Sequence, residues 1–209
     1  VGDVRADPRV SLGADYFDEL YARRDDPWRL AERWYERRKR ALTLAMLPRE
    51  RYASALEIGC SIGTLTAELA PRCDRLLATD IAPRAVELAR ERVAGHPHVA
   101  VDVWDTPEHW PPGEFELVML SEVGYYLDEP ALVTLFEKSI ASLAAGGVIV
   151  ACHWRHPVDD YPLRGDRVHE VLDGMPGLER LARYRDDDVV LELHGRPGSA
   201  SVAAREGLA

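Results

Sequence analysis

The sequence predicts an α/β fold in which a mostly parallel sheet is covered by helices on both faces and closed by an antiparallel hairpin. Three observations carry this expectation. Short apolar runs alternate with stretches of helical periodicity from Ala53 to His153. The run Leu56-Glu57-Ile58-Gly59-Cys60-Ser61-Ile62-Gly63 joins the first apolar run to an amphipathic stretch, and Asp80 follows 21 residues after Gly59. Near the other end, two β-rich runs flank Arg185-Asp186-Asp187-Asp188, a hairpin pattern.

About fifty residues precede the sheet, rich in aromatic and cationic side chains. Residues 16–21 read as a short helix, and Pro27-Trp28 as the opening of a longer one through Leu47. In that longer helix Leu30, Trp34, Arg37 and Ala41 share one face, and Ala31, Tyr35, Arg38 and Leu42 the adjacent one. Laid across the carboxyl ends of the strands, it forms a lid that excludes water. Strands follow at 53–58, 75–80, 99–103, 115–120 and 148–153. The intervening helices fall at 64–70, at 83–94 with Pro83 in its first turn, and at 131–143, stopped by Gly146-Gly147. Pro111-Pro112-Gly113 breaks the chain before the fourth strand. Runs 178–184 and 189–194 make the hairpin. Segment 154–174 contains Pro157, Pro162 and Gly165 and reads as mobile, ordering on binding. The expected organisation is a lid at 1–50, one core domain at 51–195 and a disordered tail at 196–209.

At 209 residues the chain is long enough for one sizeable core, and no linker divides it. Cys60, Cys73 and Cys152 show no paired spacing and argue against a disulfide framework. No apolar run spans a bilayer, and the charged start lacks a signal-peptide core, so a cytoplasmic location is expected. A net charge of −10 disfavours a nucleic-acid backbone as partner. The expected partner is a small-molecule acceptor, with neither nucleic acid nor membrane. His153-x-x-His156 has metal-like spacing, but no third ligand is placed by the sequence, so no metal is expected.

The glycine turn and Asp80 together describe a nucleoside-cofactor site. Glycine permits φ > 0 and close approach of the main chain, the following helix offers free N–H groups, and an acid about 20 residues on accepts both ribose hydroxyls. The spacing Glu-x-Gly-x-x-x-Gly lacks the central glycine of the dinucleotide fingerprint, and no Lys-Ser/Thr pair follows, which excludes a phosphate-gripping loop. Glu57 would repel a pyrophosphate and attract a cofactor carrying an ammonium and a sulfonium. Here the sequence resembles the class I S-adenosylmethionine (SAM)-dependent methyltransferases, with Ser61 at the middle position of their first motif. That resemblance implies a single Rossmann-like, seven-stranded domain with SAM as cofactor and S-adenosylhomocysteine (SAH) as product.

A narrower resemblance rests on longer segments. Tyr16-Phe17-Asp18-Glu19-Leu20-Tyr21, Asp26-Pro27-Trp28-Arg29 and Trp34-Tyr35-Glu36-Arg37-Arg38-Lys39 look like the NodS-type methyltransferases. So do Cys152-His153-Trp154-Arg155-His156-Pro157, Asp160-Tyr161-Pro162-Leu163 and Gly165-Asp166-x-x-His169, the likeness covering roughly residues 15–195. Those rhizobial enzymes N-methylate the free amine of a deacetylated chitooligosaccharide. The resemblance implies a SAM-dependent N-methyltransferase for an aminosugar-like metabolite.

Candidate roles follow from this frame. Methyl transfer needs a neutral, oriented amine and a group to take its proton. Glu122, leaving the fourth strand, is placed to orient the amine, and His153 or His156, leaving the fifth, to accept the proton. Glu122 reads equally as charge compensation at a helix start, and His153 as a core residue. Trp28, Tyr125, Tyr126 and Trp154 suit a ring-faced acceptor platform, with Arg155 beside it, although either tyrosine also suits a core. For the cofactor, Glu57 and the backbone of Gly59, Cys60, Ser61 and Gly63 are expected to hold the methionyl end. Tyr35 or Arg38 reaches its carboxylate, and Asp80 the ribose. Ile81, Asp102, Val103 and Trp104 take the adenine, with Ser121 nearby. Methylation of oxygen or carbon, a nicotinamide oxidoreductase, and a non-catalytic SAM-binding protein stay open as alternatives.

Overall fold

A computed structural model describes residues 10–209. Residues 1–9, which belong to the expected lid span and to the stretch read for a leader, lie outside the described residues. The sheet has seven strands in the order β3-β2-β1-β4-β5-β7-β6. These are β1 (Ala55–Ile58), β2 (Leu76–Asp80), β3 (Val99–Val103), β4 (Phe115–Ser121), β5 (Leu143–Trp154), β6 (Glu179–Arg185) and β7 (Val189–Gly195). The first five pair in parallel, while β7 runs antiparallel between β5 and β6, so the expected hairpin closes one edge.

Seven α-helices accompany these strands among the described residues: α1 (Ala14–Arg23), α2 (Trp34–Ala45), α3 (Thr64–Leu69), α4 (Pro83–Arg92), α5 (Glu129–Ala141), α6 (Gly165–Asp173) and α7 (Val202–Arg205). Apolar side chains from both sheet faces pack under them. Tyr52, Leu69, Leu117, Met119 and Val150 fill one side, and Leu56, Val118, Leu120, Leu135, Phe136 and Ile149 the other. Because strand residues alternate faces, Leu117 and Met119 point opposite to Val118 and Leu120, as period-two burial requires. None of these helices is long and apolar enough to cross a membrane.

Five local expectations are corrected. The second lid helix starts at Trp34 rather than at Pro27, because Asp26 accepts the N–H groups of Leu30 (2.8 Å) and Ala31 (3.0 Å) and Arg29 turns to φ +60°. That side-chain competition holds residues 26–31 in turns. The helix after β4 starts at Glu129, where Asp128 caps the Ala131 N–H at 3.0 Å. Gly146-Gly147 does not stop that helix but bends the start of β5, Gly146 lying at φ +69°. Residues 165–173, read as part of a mobile segment, form α6, whose Val168, His169 and Leu172 are buried against the sheet. The tail is not featureless either: Ser201 caps α7 through the Ala204 N–H at 3.1 Å.

Candidate active site

All the parallel strands deliver their carboxyl ends to one edge of the sheet, where loops gather over a single cleft. The turn after β1 forms its floor. Gly59 (φ +72°) and Gly63 (φ +74°) are both left-handed, with Ser61 at φ +49° between them. The glycines serve packing here. A Cβ at Gly59 would lie 2.1 Å from Val123 Cγ2, and one at Gly63 would lie 3.0 Å from Ala89 in α4. Gly63 does not line the cleft, whereas Glu57, Gly59, Cys60 and Ser61 do.

Glu57 is 2% exposed, and its Oε2 has no hydrogen-bond partner among the described residues. Burial, with a smaller push from Asp80, raises its pKa to about 8. Asp80 sits across the turn. One of its oxygens accepts the Ser61 N–H at 2.8 Å and the other the Ala82 N–H at 3.0 Å, and each keeps a second lone pair. Ile81, Trp104 and Thr106 form the apolar wall beside it. Asp102 and Val103 stay outside. Asp102 turns to the surface, where Arg90 holds it at 2.9 Å, because alternation along β3 points it away from the cleft.

N-terminal residues line the cleft, but through a different face from the expected one. Leu12, Phe17 and Tyr21, with Trp28 and Leu30, cover one side of the cleft. Tyr21 Oη and Ser61 Oγ lie 2.6 Å apart, and the Leu12 N–H donates to the Tyr126 carbonyl at 2.8 Å. From α2 the cleft receives Glu36, Lys39 and Arg40, not Tyr35 or Arg38. Arg38 faces the hairpin, bonding Asp186 Oδ2 (3.0 Å) and Tyr184 Oη (2.6 Å). Tyr35 packs edge-on against Trp154. The buried face of α2 is Glu36, Lys39, Arg40 and Thr43, a polar stripe at helical spacing that a search for apolar faces passes over. Arg40 donates Nε to Glu68 (2.8 Å) and Nη1 to the Leu30 carbonyl (2.8 Å), leaving Nη2 unpartnered among the described residues.

Glu122 leaves β4 at φ +62° and lines the cleft with Ser121, Val123, Tyr125 and Tyr126. Its Oε2 accepts from Tyr125 Oη, and its Oε1 lies 3.1 Å from Lys39 Nζ. Glu122 Oε1 is buried and has no hydrogen-bond partner among the described residues. Lys39 also reaches Glu36 at 2.9 Å. Burial pushes the Lys39 pKa down, but Glu122 and Glu36 outweigh it and hold the ammonium charged. Tyr125, Tyr126 and Tyr161 cluster with centroids 4.7–5.0 Å apart, and the first two border the cleft.

The expected proton acceptors are elsewhere. His156 is exposed, paired with Asp188 at 2.8 Å and laid on Trp154, away from the cleft. Arg155 is spent on Asp166, and neither it nor Trp154 lines the cleft. His153 is fully buried, and both its ring nitrogens are engaged, by the Gly124 N–H at 3.0 Å and by His169 at 3.1 Å. Its lone pair is unavailable to a substrate. Asp173, Glu192 and His194 cluster closely enough for a metal, but Arg180 and Arg183 already pair with Glu192.

The sequence that builds most of this cleft matches a family model. Residues 17–156 fit that of Nodulation protein S (NodS). The chain belongs to the NodS family. It is 36% identical over 128 residues to Nodulation protein S of Rhizobium tropici, covering 60% of this chain and 54% of that protein. Its likeness to the Bradyrhizobium diazoefficiens protein is 35% over 122 residues, 58% of each. The matched region thus spans little more than half the length of these curated relatives. The crystal structure of the N-methyltransferase NodS from Bradyrhizobium japonicum WM9 in complex with SAH superposes with a TM-score of 0.80. It is 28% identical, covering 88% of this chain and 98% of that one. A Pseudomonas syringae chain described as a candidate methyltransferase is 46% identical, with a TM-score of 0.71, over 78% of this chain and 100% of that one.

Proposed function

We propose that this chain is a SAM-dependent N-methyltransferase acting on the primary amine of a small, aminosugar-like acceptor, of which a deacetylated chitooligosaccharide is the leading class. The observation that carries the reading is the polarity of the cleft. At one end lies Glu57, whose Oε2 has no hydrogen-bond partner among the described residues, and at the other Glu122, whose Oε1 has none among them either.

The donor set fits the cofactor. Glu57 suits an ammonium, the Nη2 of Arg40 a carboxylate, Asp80 a ribose diol, and Ile81 with Trp104 an adenine ring. When bound, SAM supplies an electrophilic methyl group on its sulfonium. The chain supplies alignment and a dry site, and positioning of this kind contributes about 7–11 kcal/mol to reactions between held partners. Glu122 accepts an N–H of the acceptor amine and turns its lone pair into the cleft, with Lys39 beside the carboxylate at 3.1 Å. Trp28, Tyr125 and Tyr126 offer ring faces to a sugar. Among the described residues there is no membrane-crossing helix, and the three cysteines are free, which fits a cytoplasmic enzyme.

The test is calorimetric titration of SAH into the wild type and Asp80→Ala, followed by methyl release with glucosamine oligomers and their N-acetylated forms. Micromolar binding lost in Asp80→Ala, with turnover on free-amine oligomers alone, is the expected result. Absence of SAH binding overturns the cofactor assignment. Binding with equal turnover on both oligomer forms overturns the amine.

A further inference from the structure

The loop bearing Glu122 is strained. A left-handed conformation costs a non-glycine residue about 1–2 kcal/mol, and Glu122 holds φ +62°. Two groups of β5 fasten the loop: the Cys152 carbonyl accepts the Glu122 N–H at 2.8 Å, and His153 Nε2 accepts the Gly124 N–H at 3.0 Å. The second contact needs glycine at 124, since a Cβ there would meet His153 Nε2 at 3.1 Å and Val168 Cγ1 at 2.5 Å.

That contact also fixes protonation. A backbone amide only donates, so His153 Nε2 carries a lone pair and the ring proton resides on Nδ1. Nδ1 lies 3.1 Å from His169 Nε2, which must therefore accept. The proton of His169 is then on its Nδ1, 2.8 Å from Glu192 Oε2. The three side chains are 0%, 2% and 0% exposed. Glu192 Oε1 is held by Arg183 at 3.1 Å and Arg180 at 3.3 Å. Burial, His169 and Lys39 together push the His153 pKa well below the ordinary histidine value, which keeps the His153 ring neutral. One amide thus sets the tautomers of two imidazoles ending on a carboxylate from β7.

We propose that His153, oriented by His169 and Glu192, is the positioning residue of the Glu122 loop, fixing the Gly124 amide and with it the direction in which Glu122 faces the acceptor. The inference rests on Glu122 facing the acceptor and assigns His153 no proton transfer with substrate. Glutamine at 153 can place its Oε1 near the position of Nε2, whereas leucine offers no acceptor.

The experiment pairs nitrogen-15 NMR of the full chain with kinetics of His153→Leu, His153→Gln and His169→Leu. In the wild type His153 is expected as the Nδ1–H tautomer, with a scalar coupling from Nε2 to the Gly124 amide nitrogen. His153→Leu should exchange the Gly124 amide roughly tenfold faster or more, which His153→Gln restores. Both should bind SAH within about threefold of wild type. Turnover of glucosamine oligomers should fall about a hundredfold in kcat with little change in KM in His153→Leu, and recover most of that in His153→Gln. Should His153→Leu fail to fold, His169→Leu keeps the ring but leaves its Nδ1–H without an acceptor, and should loosen the Gly124 amide and lower kcat in the same direction. An Nε2–H tautomer in the wild type, or equal kcat in the leucine and glutamine variants, overturns the proposal. If the wild type leaves glucosamine oligomers unmethylated, the acceptor assignment fails while tautomer and amide exchange still decide the positioning claim.

Discussion

Replacing Lys39 by methionine keeps the length of the side chain and removes the cation between two carboxylates. Lys39 is 5% exposed, 2.9 Å from Glu36 and 3.1 Å from Glu122, whose side chains are 10% and 21% exposed. Breaking a buried pair costs about 3–5 kcal/mol because the remaining charge is uncompensated. The cleft leaves these carboxylates some solvent, so the lower figure applies, about 3 kcal/mol. For a chain of this size each kcal/mol moves Tm by about 2–4 °C, giving a loss of about 6–12 °C near neutral pH. The pH dependence carries a definite sign. In the wild type the raised Lys39 pKa makes its contribution full below about 10.4 and lost only as pH climbs through the folded value. Thermal melts of both proteins from pH 5 to 8.5 read this directly. A deficit that grows as pH falls, or one below about 1 kcal/mol at pH 8, refutes the reasoning.

Glu57, with its pKa raised to about 8, destabilises the free protein progressively as pH rises from about 4.3 through 8. Glu57→Gln should flatten that slope, and titration of SAH near pH 7 in buffers of different ionisation enthalpy should show proton release in the wild type only. Equal release in both proteins counts against Glu57 facing the ammonium. Gly59→Ala should destabilise by about 2 kcal/mol or more, combining a left-handed penalty with the collision on Val123. Val123→Ala in the same chain should recover the collision part in thermal melts, and no recovery means that packing is not the reason for glycine there. Tyr21→Phe loses its 2.6 Å contact with Ser61 and should weaken SAH binding about fivefold at most, or about 1 kcal/mol. A loss of a hundredfold would mean that the hydroxyl touches the ligand itself.

The sheet was legible because burial on two faces writes apolar runs into each strand, and β3 begins and ends where the sequence placed it. The glycine turn was legible for a related reason, since a left-handed residue and an acid at set spacing have few other uses. The polar underside of α2 was not, because amphipathic reading assumes that the covered face is apolar, whereas Glu36, Lys39 and Arg40 are covered by a cleft. Asp26 hid the true start of that helix by taking two amides that a helix would have used. His169 and Glu192 lie 16 and 39 residues beyond His153, and only the antiparallel return of β7 brings the carboxylate to the ring. No local pattern encodes that pairing. His153 itself was singled out for its chemistry, and the structure shows that its lone pair is committed to the main chain.

Among the described residues, every side chain that borders the cleft comes from residues 12–127, while α5, β5, α6 and the hairpin lie behind it. Selection for a new acceptor can therefore work on the first part of the chain, and selection for speed or durability on the second, with little interference. A hybrid joining the front of one relative to the back of another should inherit its choice of acceptor from the former and its turnover from the latter, provided that the residues at 124, 153, 169 and 192 travel as a set.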